Sequence, residues 1–382
     1  MKKRWICLLT AVMLSAGVCM AEPVASDAAP LEEDAGGFVA GKCSLIVNPE
    51  DPDKAEADRF GEDLKEAEVV IDLYQVAKAV KVKGYDTYSY QVNPDYGLSI
   101  PEYPEGGDWE KLAQQAAEAA IKKGDASDTL VKSGVPAGEK ADLDAGLYLV
   151  IARGSSLTDA EDYLTEITQK EEETGDETTT YATVAYSKKN AYLFAPQLIS
   201  LPTKEADADG VINTANPGDW IYDLSVNLKP EQTARFGSLE IVKTLSTYET
   251  EEGIQEPVTC VFEVTGMLGE ETVYSNVESI TFTAAGQESA VLDRIPAGAS
   301  VTVREVYSGS SYELTVPGDR STVIAADDVV SVDFENTYTR EQKKGHGIKN
   351  QFVYDENGRW QWYSDPPQDA DGNQGLPEAA AR

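Results

Sequence analysis

Between residues 237 and 338, apolar and polar residues alternate in short runs separated by Gly, Asp, Pro and Ser. This is the period-two pattern of half-buried strands in a sandwich. An earlier block, from about 43 to 230, mixes such runs with one helical pattern. Strands are predicted at 69–76 (VVIDLYQV), 145–152 (AGLYLVIA), 192–201 (YLFAPQLISL) and 220–228. Trp109, Leu112, Ala113, Ala116 and Ala120 recur at helical spacing behind Asp108, which reads as an N-cap. The stretch 168–180 (TQKEEETGDETTT) reads as a polar loop. The expected architecture is all-β, two tandem Ig-like β-sandwiches at 43–232 and 237–338, the first with a helical insert. Residues 339–382 read as a polar tail whose aromatic patch, 352–363, forms a hairpin around 355–358.

Strand register exposes three misplaced polar residues in the second block, because every second side chain of a strand shares a face. In 237–245 (GSLEIVKTL), Lys243 shares a face with Leu239, Ile241 and Leu245. In 301–307 (VTVREVY), Glu305 joins Val301, Val303 and Tyr307. In 329–338 (VVSVDFENTY), Asn336 joins Val330, Val332, Phe334 and Tyr338. All three are expected to point into one core, where an unpaired charge costs several kcal/mol. Burial lowers the pKa of a lysine and raises that of a carboxyl. A neutral Lys243 amine is a nucleophile, and a protonated Glu305 polarises the Asn336 carbonyl and shuttles protons. The product is an amide between Lys243 and Asn336, with ammonia released. Periodicity leaves a second reading open: a buried Lys–Glu pair, with Asn336 capping a strand end.

A fourth residue has the opposite register. Trp220, Tyr222, Leu224, Val226 and Leu228 share the core face of the strand that ends the first block. Lys229 falls with Ile221, Asp223, Ser225 and Asn227, so it is expected to be exposed near the boundary between the blocks. An exposed lysine at a strand end is ordinarily a solubilising charge.

The 32 Lys and Arg against 67 Asp and Glu give a formal charge of -35 over 382 residues. Such a surface repels nucleic acid and anionic membranes. Lys2, Lys3 and Arg4 followed by an apolar run to about Met20 read as a signal peptide, residues 1–21, cut after Ala21. Residues 22–42 read as a disordered leader. Two of the four cysteines, Cys43 and Cys260, then remain, one in each block. They read as small strand or loop residues rather than as a disulfide. The single histidine, His346, lies in the polar tail, which leaves no catalytic triad and no histidine metal site. The run 205–210 (EADADG) starts like a calcium loop, but Asn216 stands where the twelfth-position Glu belongs, so it reads as an acidic turn. No cofactor, metal or enzymatic turnover is expected.

The second block resembles a Cna B-type domain of Gram-positive surface proteins, through SLEIVKTL (238–245), IPAGASVTVREVYSGSSYEL (295–314) and VVSVDFENTYTR (329–340). The resemblance implies that Lys243 joins Asn336 with help from Glu305. Where that family often has a Pro-Gly-Tyr turn, this chain has Ser-Gly-Ser-Ser-Tyr (308–312). The first block resembles the N-terminal domain of sortase-assembled pilins of the SpaA type, through IDLYQVAKA (71–79), AGLYLVIA, YLFAPQLISLP (192–202) and WIYDLSVNLKP (220–230). That implies Lys229 is the nucleophile that receives a sortase-activated neighbour, although Asn227-Leu228 replace the family's Tyr-Pro. Gln75 stands where some such domains carry their own cross-linking lysine, so no bond of that kind is expected in the first block. The chain ends QGLPEAAAR without a sorting signal or an apolar span, so it is expected to accept a sortase linkage but not to donate one.

The expected function is thus an exported pilus or surface subunit, stapled internally through Lys243 and Asn336. Its expected partners are other pilin subunits and a pilus sortase. The alternative is a secreted or wall-associated adhesin for a host or matrix ligand, with Lys229 unused.

Overall fold

A computed structural model describes residues 42–56, 59–82, 87–101, 106–170, 177–204, 220–249, 257–309, 311–339, 351–354 and 360–363. The signal peptide, the leader to residue 41, the acidic turn at 205–210 and His346 lie outside the described residues. The chain divides into two compact units, 1–187 with 191–232, and 188–190 with 233–382. The fold is all-β, with a helical insert in the first unit.

The first unit opens with β1 (Cys43–Asn48), a short helix α1 (Gly61–Glu66), β2 (Val69–Lys81) and β3 (Tyr88–Val92). The insert α2 (Gly106–Ala117) continues into a wider π-type turn, Glu118–Lys123. Asp108 is therefore not the N-cap; it lies in the first helical turn, where its negative charge suits the positive end of the helix. Then come β4 (Leu130–Pro136), β5 (Lys140–Leu143) and β6 (Gly146–Gly154). β2 and β6 pair antiparallel at the centre of a sheet. They are buried on both faces, which explains why both read as nearly unbroken apolar runs. On one face Ile71, Leu73, Tyr148 and Val150 pack with Leu45 and Val47 of β1. On the other, Tyr74, Val76, Leu147 and Leu149 meet Trp109, Leu112, Ala113 and Ala116 of α2.

The expected loop at 168–180 is instead mostly a hairpin, β7 (Leu164–Lys170) against β8 (Glu177–Tyr186). Its threonines suit an exposed pleated surface, and Thr168 faces Thr179 across the pair. The 192–201 segment is split into β9 (Asn190–Phe194) and β10 (Gln197–Leu201). The short pair β11 (Thr203–Lys204) and β12 (Trp220–Ile221) precedes β13 (Asp223–Asn227), so the last strand of this unit is interrupted at Tyr222. β13 runs parallel to β1. The connecting strand β14 (Glu231–Ala234) follows.

The second unit holds β15 (Phe236–Leu245), β16 (Val258–Leu268), β17 (Glu271–Phe282), β18 (Gly286–Pro296), β19 (Ser300–Tyr307), β20 (Tyr312–Leu314), β21 (Arg320–Val323) and β22 (Val329–Tyr338). They form two four-stranded sheets, β18-β15-β22-β20 and β17-β16-β19-β21. The first and last of these eight strands, β15 and β22, are parallel neighbours, with Leu245 opposite Asn336. Gly237 fixes the start of β15: a Cβ there would lie 2.0 Å from the Ala325 carbonyl oxygen. The tail's aromatic patch is a hairpin, β23 (Gln351–Tyr354) with β24 (Trp360–Tyr363), as the sequence predicts.

One feature of the first unit escaped the sequence reading. Asp72 and Arg153, on neighbouring β2 and β6, form a buried ion pair with Nε–Oδ2 at 2.6 Å and Nη2–Oδ1 at 3.2 Å. Asp72 Oδ1 also accepts from Ser133 Oγ and Gly134 N, and Arg153 Nη1 donates to the Leu157 carbonyl. Removing one partner strands the other charge in the core. Asp72→Ala is expected to destabilise the first unit by about 3–5 kcal/mol. The readout is the urea midpoint of that unit's transition; an unshifted midpoint would contradict the assignment.

Candidate functional site

The three second-unit residues meet between the two sheets. Each arrives there for the reason the register gives. On β15 the odd-numbered positions Leu239, Ile241, Lys243 and Leu245 are buried. On β19, Val301 and Val303 are buried, and two residues on the Glu305 side chain is 1% exposed. On β22, Val332, Phe334 and Asn336 are buried. Lys243 and Asn336 are both 0% exposed.

Lys243 Nζ lies 2.8 Å from Glu305 Oε1, although the approach is too oblique for a well-formed hydrogen bond. Asn336 Nδ2 donates to the same Oε1 at 2.9 Å. One carboxylate oxygen thus touches both the amine and the amide. Phe262 and Phe334, packed on each other at 5.1 Å, wall the lysine, with each ring centroid 5.8 Å from Nζ. Burial pushes the Lys243 ammonium below its ordinary pKa, against the opposing pull of Glu305. Glu305 Oε2 and Asn336 Oδ1 are buried without hydrogen-bond partners. Three buried polar atoms left unsatisfied in one cluster are costly as a resting arrangement.

Two further groups border the cluster and were not singled out in the sequence. Asn336 Nδ2 also donates to the Ser308 carbonyl at 3.2 Å and to Cys260 Sγ at 3.7 Å. Burial raises the Cys260 thiol to about 12, so it stays protonated. Its position on β16 gives no polar signal, because a buried cysteine on an apolar strand face looks like any small core residue. Cys43 and Cys260 are both buried and are not joined to each other by a disulfide.

Lys229 lies two residues past the end of β13 and is exposed, while the preceding Leu228 is buried. It therefore has the outward register expected and takes no part in the Lys243 cluster. Gln75 donates to the Tyr148 hydroxyl at 3.2 Å. Among the described residues no group of acidic, histidine and cysteine side chains is arranged to hold a metal ion, and no helix is long and apolar enough to cross a membrane.

A family model described as a domain of unknown function (DUF5979) matches residues 239–339, the stretch that contains the whole cluster. No curated protein matches the chain. The chain is similar in structure to GBS52, the minor pilin of Streptococcus agalactiae, at 11% identity over 80% of this chain and 99% of that one, with a TM-score of 0.21. It is similar to a C-terminal fragment of the pilus adhesin SpaC from Lactobacillus rhamnosus GG, at 12% identity over 78% and 98%, with a TM-score of 0.22. It is also similar to the major pilin of Streptococcus pyogenes, at 9% identity over 78% and 98%, with a TM-score of 0.20. These matches are Gram-positive pilins and pilus adhesins.

The Lys243 shift makes a pH prediction for a chain that cannot cross-link. A lysine whose folded pKa is depressed binds fewer protons folded than unfolded, so stability rises with pH through the window below its ordinary value. Asn336→Ala is expected to gain stability from pH 7 to pH 10 relative to the Lys243→Met/Asn336→Ala double variant. Parallel pH profiles in urea unfolding would refute a strained buried ammonium.

Proposed function

We propose that this protein is an exported structural or accessory subunit of a covalently assembled surface fibre. Its second unit is locked by an isopeptide bond between Lys243 and Asn336. The observation that carries the reading is the shared Glu305 oxygen, in contact with both reacting groups inside a dry aromatic pocket. Lys243 gives a proton to Glu305 and becomes a neutral nucleophile. Its nitrogen attacks Asn336 Cγ; Glu305 returns that proton to Nδ2 and then takes up the second proton that Nζ sheds as the amide forms. The Nζ–Cγ bond forms, the Cγ–Nδ2 bond breaks and one ammonia leaves. The reaction runs once per molecule, so it is maturation and not turnover.

The mechanical benefit follows from topology. A pull applied to the two ends of the unit enters at β15 and leaves at β22. A bond from Lys243 to Asn336 carries that load directly, so the residues between them need not unravel. Closing a loop on the order of 100 residues is worth about 4–5 kcal/mol by the entropic account for cross-links. Support for Lys229 as the sortase acceptor is its exposure just past β13 and the resemblance of the segment 220–230 to a pilin motif.

The cross-link is tested by intact mass and heating. The wild-type chain is expected to be lighter than its sequence by one ammonia, and Lys243→Ala, Asn336→Ala and Glu305→Ala are expected to keep the full mass and melt at lower temperature. A Lys243→Ala chain of unchanged heat stability would sink the proposal. Incubation with a pilus sortase and an LPxTG-bearing partner tests the acceptor: an adduct at Lys229, lost in Lys229→Ala, is expected. Absence of any adduct favours the adhesin reading, in which the internal bond remains and Lys229 is idle.

A further inference from the structure

Asn336 Nδ2 carries two hydrogens but faces three acceptors: Glu305 Oε1 at 2.9 Å, the Ser308 carbonyl at 3.2 Å and Cys260 Sγ at 3.7 Å. Asn336 Oδ1, the other end of the same amide, meets none. The polar groups of the pocket are thus gathered around the nitrogen that must leave and not around the carbonyl oxygen. A departing ammonia has three hydrogens, one for each acceptor. Complementarity to a late, ammonia-like leaving group and not to the resting amide is the arrangement that lowers a barrier.

The two additional acceptors are held in place by the fold. Ser308 follows β19 directly, and its hydroxyl donates to the Tyr312 carbonyl at 2.7 Å. Gly309 turns the chain at φ +91, where a Cβ would also lie 3.0 Å from Val258 and 3.2 Å from Tyr312. The Cys260 thiol points its own hydrogen at the Ser308 carbonyl at 3.8 Å, which leaves a sulfur lone pair for Asn336 Nδ2.

We propose that Cys260 and the Ser308 carbonyl form a leaving-group cradle that orients the Asn336 amide and receives its ammonia during cross-linking. Cys260 is a positioning residue in this scheme: it forms no covalent bond, and the Nζ–Cγ bond made and the Cγ–Nδ2 bond broken are those already given. A thiol held protonated by burial suits an acceptor and not a nucleophile. The inference rests on the Lys243–Asn336 reading.

The test follows loss of ammonia with time in newly synthesised full-length chains, by intact mass. Cys260→Ala is expected to slow the reaction by about tenfold, the effect of losing one hydrogen bond to the reacting group. Cys260→Ser, which keeps an acceptor, is expected to restore most of the rate. Melting of the two variants in a Lys243→Ala background separates folding from reaction; equal melting points are expected. Cys260→Ala reacting as fast as wild type, or Cys260→Ser reacting as slowly as Cys260→Ala, overturns the cradle alone. A wild-type chain that never loses ammonia overturns the cross-link itself, and the cradle with it.

Discussion

An ammonium, a carboxylate and a primary amide occupy one dry space between the two sheets of the second unit, and aromatic rings close it from water. Isolated charges in such a place are expensive, and a buried salt bridge commonly fails to repay its desolvation. Here the geometry is worse than that of a good pair, since Nζ, Glu305 Oε2 and Asn336 Oδ1 all lack hydrogen-bond partners. The proposed conversion of the amine and amide to a secondary amide would remove the lysine charge. It would also turn a liability of the core into a covalent constraint. Burial favours the proposed reaction, because it depresses the lysine pKa and so raises the fraction of neutral amine.

The first unit solves a related problem differently. It too pairs its first strand in parallel with its last, β1 with β13. That seam is joined by side-chain hydrogen bonds, Ser44 to Asp223 and Asn48 to Asn227. No lysine occupies the core face of β1. Its central strands are instead pinned by the Asp72–Arg153 pair, whose oxygens and nitrogens are satisfied by Ser133, Gly134 and Leu157. A fully satisfied ion pair has nothing to gain from reaction, whereas the unsatisfied trio around Glu305 does.

Strand periodicity made the second unit legible. Lys243, Glu305 and Asn336 could be placed on core faces because each interrupts an otherwise apolar alternation, and Lys229 could be placed outside because its register is opposite. The first unit was less readable. β1 has no distinctive alternation, and the far end of the hairpin β7–β8 is hidden in a charged stretch because the exposed threonines there stabilise strands without an apolar face. The Asp72–Arg153 pair was invisible because its partners lie 81 positions apart and only the pairing of β2 with β6 brings them together. Cys260 and the Ser308 carbonyl were missed for a different reason. One looks like a core filler, and the other is a backbone atom whose direction depends on the turn at Gly309.

The central claim is a covalent bond, so the most direct measurement is peptide mapping of the purified full-length protein by tandem mass spectrometry. The account predicts a branched peptide in which the Lys243 side chain is joined to that of Asn336, with one ammonia missing. Recovery of both residues only in separate linear peptides of unaltered mass would contradict it.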